Sequence, residues 1–290
     1  MSNHYEILDS GGFLKLEQVG SVRLVRPCAQ AIWSQTLTKQ QWEEADAVFV
    51  RKTGGDGDWN FKNRKLPESW TIQVADLKFV MRLTDFGHLG IFPEQMPCWK
   101  LLTERCQRGS LQMKGQPFKV LNLFAYTGGS TMACAAGGAE VVHLDASKTS
   151  VAWARENAMA SGLSERPIRW IVDDVKKFVE REIRREIRYH GIILDPPSFG
   201  RGANGEVWKL EEHLTPLMHQ LRKILAEDFS FVQLSAHSPG VTPIVLENLL
   251  RETLPKVDGT YLAEEMVIPD KHGHRLVPSG ASCFFLRGQP

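Results

Sequence analysis

The feature that most constrains this 290-residue chain is what happens after Lys119. Five short, uninterrupted apolar runs, at residues 120–124, 141–144, 168–172, 191–194 and 229–234, are separated by stretches long enough to hold a helix. Strands that are apolar throughout, rather than at every second residue, are covered on both faces. Strand, helix and strand in regular succession build parallel βαβ units. The expected fold is therefore α/β, a doubly wound parallel sheet. Its clearest helix spans 174–188, where Val175, Phe178, Val179, Ile183 and Ile187 recur at helical spacing. The opposite face of that helix is charged, and Glu180 is expected to pair with Arg184 one turn on.

The first hundred residues follow another pattern. Short β-like runs at 5–8, 13–16, 22–25 and 47–50, and a strand pair within 72–83, are punctuated by Gly11, Gly12 and Gly20. One amphipathic helix is expected over 38–45. The chain thus reads as a small mixed α+β domain over 1–97 and an α/β domain over 98–290. A helix over 99–107 and a polar, glycine-containing linker over 109–117 are expected to lead into the first parallel strand.

Composition limits what the chain can grip. Lys plus Arg number 35 against 34 Asp plus Glu, so any nucleic-acid contact must come from local patches rather than bulk attraction. One such patch is the stretch 51–65, where basic residues including Lys62 and Arg64 alternate with Trp59 and Phe61, although a solvated hairpin would carry the same residues. No apolar run approaches the roughly 20 residues of a membrane helix, and no secretory leader pattern opens the chain. The five scattered cysteines have neither metal-binding nor disulfide spacing. A cytoplasmic protein without a metal site is expected, and its oligomeric state is left open.

In a doubly wound sheet, ligands bind outside the carboxyl ends of the strands, so the loops after each apolar run are the candidate site. The first is Phe124-Ala125-Tyr126-Thr127-Gly128-Gly129, whose glycines allow close backbone approach but do not match the dinucleotide fingerprint. The second opens with Asp145-Ala146-Ser147, an acidic group about 20 residues on that suits ribose hydroxyls, or equally a helix cap. Asp173 and Asp174 follow the third run; one is placed to accept from an adenine amino group and the other to cap a helix. The fourth loop, Asp195-Pro196-Pro197-Ser198-Phe199, is the most distinctive. Its prolines remove two amide donors and leave acceptors that suit a flat, amine-bearing base, with Phe199 as a stacking face and 200–205 as a glycine-rich flap. Trp208 and His237 are further expected substrate contacts.

The segments Asn122-Leu-Phe-Ala-Tyr-Thr-Gly-Gly129, Asp145 and Leu194-Asp-Pro-Pro-Ser-Phe199 resemble the bacterial large-subunit ribosomal RNA methyltransferases, a family with a 5-methylcytosine enzyme and 7-methylguanine relatives. The resemblance covers roughly residues 80–290. It implies S-adenosylmethionine as cofactor, a base in ribosomal RNA as acceptor, and a seven-stranded sheet with one antiparallel strand, for which 283–286 are suited. The same resemblance gives Phe92, Glu94 and Gln95, in Gly90-Ile-Phe-Pro-Glu-Gln95, a place against the methionine or ribose end. It implies Asp195, Pro196 and Phe199 as the catalytic loop.

The chain departs from the cytosine enzyme in two ways. The RNA-binding PUA domain has no counterpart, and the cysteine that enzyme carries after its fifth strand is replaced by Leu234-Ser-Ala-His-Ser238. Carbon 5 of cytosine needs a thiolate to add to the ring first, so a nitrogen acceptor, held in line by positioning, is the simpler expectation. Methylation of a small molecule or protein, or cofactor binding without catalysis, stay open as alternatives.

Overall fold

The computed structural model describes residues 4–52, 56–62, 66–202 and 205–288. Two compact units are present: Met1–Met96 with Val267–Ser279, and Pro97–Met266 with Gly280–Pro290.

In the first unit, β1 (Tyr5–Gly11), β2 (Leu14–Val19), β3 (Val22–Pro27), β4 (Ala47–Arg51) and β5 (Gly57–Phe61) form one sheet in chain order. Neighbours are antiparallel except β3 and β4. The parallel pair needs a crossover, and α1 (Lys39–Glu43) lies within it, started by a capping box between Thr38 and Gln41. A separate hairpin joins β6 (Trp70–Val74) to β7 (Leu77–Met81). The expected basic patch is indeed a hairpin, β4–β5. Trp59 is turned inward against Phe49 at 5.1 Å, with its indole N–H on the Thr84 carbonyl.

Buried in this unit is a charged knot. The carboxylate of Glu17 accepts from both Arg26 Nε (2.6 Å) and Arg26 Nη2 (2.7 Å), and from the Tyr5 hydroxyl (2.5 Å); Lys15 approaches to 3.1 Å. Burial pushes its pKa up, but Arg26 and Lys15 outweigh that and hold it at about 2.

The second unit opens with α2 (Met96–Gln112) and continues with β8 (Lys119–Leu123), α3 (Gly129–Ala136), β9 (Glu140–Asp145), α4 (Lys148–Ala160), β10 (Ile168–Val172), α5 (Val175–Arg184), β11 (Gly191–Leu194), β12 (Phe199–Arg201), β13 (Val207–Lys209), α6 (Leu210–Leu221), β14 (Phe231–Ala236), α7 (Pro243–Thr253), β15 (Gly259–Pro269) and β16 (Leu276–Arg287). Seven strands form one sheet in the order β10-β9-β8-β11-β14-β16-β15. The five expected apolar runs are its five parallel strands, and β16 is antiparallel to β14, with Leu234 opposite Cys283. The order reverses between β8 and β11, which makes the crevice above those two strands the ligand position of such a sheet.

Three expectations are corrected. The stretch 109–117 is not a linker throughout: α2 runs to Gln112, and its Gly109 packs on Phe118, where a Cβ would lie 2.3 Å from the ring. The chain turns only at Lys114 and Gly115, both at positive φ. Residues 267–279, expected within the second domain, belong to the first unit, where Ile268 and Val277 pack with Ile7, Cys28 and Ala31. Helix α5 is shorter than 174–188, turning out at Glu186 in the left-handed region. Its charges pair as Arg181 with Asp173, Lys177 with Glu206 and Arg185 with Glu182, not as Glu180 with Arg184.

The Glu17 knot predicts a pH-dependent stability. Its folded pKa lies below the unfolded value near 4.3, so its contribution is complete above that value and is lost as pH falls toward 2. Replacing Glu17 by Gln, which strands a buried arginine, is expected to cost about 3 to 5 kcal/mol at pH 7. Urea unfolding of both proteins at pH 7 and pH 3 checks this. The gap between them should narrow at pH 3, and a gap independent of pH would refute it.

Candidate active site

The loop after β8 is wound by left-handed residues. Phe124 (φ 56°), Tyr126 (φ 47°) and Gly128 (φ 87°) alternate with ordinary ones, and two non-glycine residues in that region carry a local cost of order 1–3 kcal/mol each that the surroundings must over-determine. They do so by direct bonds. Tyr126 N–H donates to Asp145 Oδ2 (2.9 Å), Ala125 N–H to the Leu144 carbonyl (3.1 Å), and Asn157 Nδ2 to the Thr127 carbonyl (2.9 Å). Beneath the loop, Asn122 of β8 donates to Thr131 of α3, which bonds His143 Nδ1 of β9, both at 2.9 Å. Burial and then Arg155 lower the His143 pKa to about 3, so this ring stays neutral.

The glycines here serve packing. A Cβ on Gly129 would stand 2.5 Å from the Trp99 ring, and one on Gly128 3.1 Å from Ala154. Gly128 also caps α3 with no side-chain bond, leaving the positive end of the helix available to an anion.

At the end of β9, the half-buried Asp145 carboxylate takes the Tyr126 amide on one oxygen and the Ser147 amide (2.8 Å) on the other. Each oxygen retains a second lone pair for a hydroxyl. Ala146 lies between, and Ser147 caps α4 by accepting from Ser150 N–H. Asp174 is the cap of α5, accepting from Lys177 N–H at 3.0 Å, and Asp173 pairs with Arg181 and accepts from Asp174 N–H. The cap expected of one of the two aspartates is thus made by Asp174, and Asp173 stands beside it at the start of α5.

Across the crevice, the loop after β11 is fixed from two sides. Ser198 Oγ lies 2.6 Å from Ser238 Oγ in the loop after β14, and the Trp208 indole N–H donates to the Pro197 carbonyl at 2.8 Å. Two corrections follow. The Pro197 carbonyl is not an open acceptor, and Trp208, only 8% exposed and packed on Phe124 at 4.8 Å, holds the loop instead of meeting a substrate. The glycine-rich flap is a paired hairpin, β12 with β13, tied to α5 by the Lys177–Glu206 ion pair at 2.6 Å; residues 203–204 at its tip lie outside the described residues. Phe199 stays 53% exposed, with the Arg201 guanidinium 5.8 Å from its ring centre. Asp195 follows β11, and its Oδ2 is 3.5 Å from His237 Nε2 at the end of β14.

Other expected residues belong to the first unit or to α2. Lys62 donates to the Glu43 carbonyl in the first unit, and Arg64 lies outside the described residues. Phe92 sets its ring against His88 at 5.6 Å, and Glu94 and Gln95 are buried in a short 3-10 turn of that unit. The Cys98 thiol is buried 3.9 Å from Ser282 Oγ, and burial pushes its pKa up to about 12. Among the described residues no group of three or more His, Cys, Asp or Glu could hold a metal ion, and no helix is long and apolar enough to cross a membrane. Asn157 and Trp208 were missed as positioning residues. Asn157 is a polar residue on the buried stripe Val151, Ala154 and Ala158, a pattern that marks a buried hydrogen bond.

The chain matches the family profile described as S-adenosylmethionine-dependent methyltransferase over residues 43–269. A crystal structure of the SAM-dependent methyltransferase from Agrobacterium tumefaciens superposes with a TM-score of 0.92 at 38% identity, covering 99% of this chain and 92% of that one. The ribosomal RNA large subunit methyltransferase K/L of Shewanella sp. (strain MR-4) is 28% identical over 82% of this chain but 32% of its own length. Its counterpart from Syntrophotalea carbinolica is 32% identical over 54% of this chain and 20% of its own. The chain therefore spans about a third or less of these curated relatives. The donor set suits the shared cofactor: Asp145 has acceptor capacity for ribose hydroxyls, and the uncapped start of α3 suits a carboxylate.

Replacing Asp145 by Ala removes the brace of two amides as well as a hydroxyl acceptor. S-adenosylmethionine affinity is expected to fall at least tenfold, the equivalent of about 1.4 kcal/mol or more. Calorimetric titration reads this directly, and an unchanged dissociation constant would remove Asp145 from the cofactor site.

Proposed function

Because this chain belongs to the S-adenosylmethionine-dependent methyltransferase family, we propose that it transfers the methyl group to a base of ribosomal RNA in the cytoplasm, at the loop formed by Asp195, Pro196, Pro197, Ser198 and Phe199. The observation that carries this reading is the loop itself. It stands at the point where strand order reverses, is clamped by Trp208 and Ser238, and presents an exposed aromatic ring beside a carboxylate. A clamped acceptor edge with a bare stacking face suits a flat nitrogenous ring. The large-subunit ribosomal RNA methyltransferase names of the curated relatives support that class of acceptor.

When bound, the cofactor supplies an electrophilic methyl on a sulfonium. The loop at 124–128, Asp145, Ala146, Ser147 and the start of α3 would hold it. Asp195 and the Pro196 carbonyl accept from the target base and Phe199 stacks on it, so these contacts are complete only when the acceptor is aligned. Positioning of that kind lowers the barrier without a covalent step. Arg201 adds a cation beside the stacking ring, where a phosphate of the same strand can be met.

Two outcomes are expected. Asp195→Ala and Phe199→Ala should fold and bind S-adenosylmethionine, yet lower single-turnover methylation of ribosomal RNA fragments about tenfold or more; full activity of Asp195→Ala would remove the loop from the mechanism. Cys98→Ala should retain activity, since a buried thiol with a pKa near 12 is no nucleophile at neutral pH. A covalent adduct with RNA containing 5-fluorocytosine, lost in that variant, would contradict this.

A further inference from the structure

Resting on that reading of the site, we propose that Trp208 is a positioning residue for methyl transfer: its indole is a wedge that sets the spacing between the loop after β8 and the loop after β11, so that the rate of transfer depends on it while binding does not. The two loops leave adjacent parallel strands. Leu123 and Leu194 face each other at the ends of β8 and β11, and the Asp195 N–H reaches the Leu123 carbonyl at 3.5 Å. Just beyond that point Trp208 meets both loops. Its ring centre lies 4.8 Å from that of Phe124, and its Nε1–H donates to the Pro197 carbonyl at 2.8 Å. The wedge is itself anchored: it belongs to the buried cluster of Leu194, Leu214 and Leu217, and the next residue, Lys209, donates its N–H to Nδ1 of His213 in α6 at 2.9 Å.

Strand pairing carries the position of the indole outward. Trp208 stands opposite Gly200 and Lys209 opposite Phe199, and successive residues of a strand point to opposite faces. The indole therefore lies under the hairpin while Phe199 stands on its open face. One buried ring thus fixes Phe124 where the cofactor loop begins, the Pro197 carbonyl by a bond, and Phe199 through the ladder. Transfer requires the acceptor atom in line with the sulfonium methyl, and a misplacement of about 1 Å costs on the order of 100-fold in rate. Cofactor and acceptor each meet their own loop and bind without reference to the spacing, whereas the transition state needs both loops at the set distance. No proton or bond passes through Trp208, and the wedge acts alike on any acceptor atom, a bare ring nitrogen included.

The test uses the full chain with labelled S-adenosylmethionine and two acceptor pools from cells lacking the gene, ribosomal RNA and the RNA-free soluble fraction. Trp208→Phe keeps a ring beside Phe124 and loses the donor to Pro197. In whichever pool is labelled, kcat should fall about tenfold or more, while KM for the acceptor and the calorimetric affinity for cofactor stay within about twofold. Phe124→Leu at saturating cofactor should slow transfer likewise. The double variant should be no slower than the slower single one, since either change already loosens the wedge, whereas two independent losses would multiply to about 100-fold. Independently of turnover, the indole N–H resonance of Trp208, told from the other tryptophans by its loss in Trp208→Phe, should shift when S-adenosylhomocysteine saturates the native protein and should stay in place when the same ligand saturates Phe124→Leu. Labelling of the soluble pool alone would overturn the RNA reading while the same comparison of variants still decides this proposal. Native kcat in Trp208→Phe, a loss explained wholly by weaker cofactor binding, multiplying effects in the double variant, an indole resonance indifferent to S-adenosylhomocysteine, or labelling of neither pool would overturn it.

Discussion

A single carboxylate organises the loop after β8 in the second unit. Asp145 ends β9, and its two oxygens reach forward to the Ser147 amide and sideways to the Tyr126 amide in the neighbouring loop. A carboxylate that accepts backbone N–H bonds makes charge-assisted bonds, stronger than neutral ones. Without that hold, the left-handed residues Phe124 and Tyr126 would relax, and the first turn of α3 would lose the direction from which it leaves the sheet. The Asn157 bond to the Thr127 carbonyl performs the matching task from α4. The loop is thus defined by bonds from β9 and α4 together with its glycines: Gly128 takes the left-handed conformation, and Gly129 stands where a Cβ would meet the Trp99 ring.

The loop after β11 is built on the same plan with different atoms. Prolines take away amide donors, an indole supplies one from below to the Pro197 carbonyl, and a pair of hydroxyls links two loops. What remains facing outward is a carboxylate, an imidazole and an aromatic ring, three groups of different chemistry within one short reach of the strand ends.

Much of this was legible in the sequence because parallel strands announce themselves. Five unbroken apolar runs gave five strands, and the loops behind them followed from the rule that ligands sit at strand ends. The role of individual polar residues was harder to read. Asp174 and Asp173 look alike in the sequence, yet only Asp174 caps the helix, while Asp173 pairs with Arg181. Trp208 looks like a stacking platform in a basic, glycine-rich neighbourhood, but its hydrogen-bonding edge and its bulk are both satisfied underneath the loop. Such competition between a side chain's local partners and a ligand depends on three-dimensional neighbours that spacing does not encode. The same holds for 267–279, whose alternation fits either unit until Ile268 and Val277 are seen against Ile7.

That last segment has a consequence for how the molecule comes into being. The small cluster that holds Ile7, Cys28 and Ala31 of the first unit is completed by Ile268 and Val277, far later in the chain. During synthesis, which runs from the amino end, the strands β1 to β3 leave the ribosome with this cluster open, and it stays open until Val277 has emerged. The unit that is begun first therefore waits for residues 267–279, and a chain whose translation stops before that point carries an uncovered apolar seam.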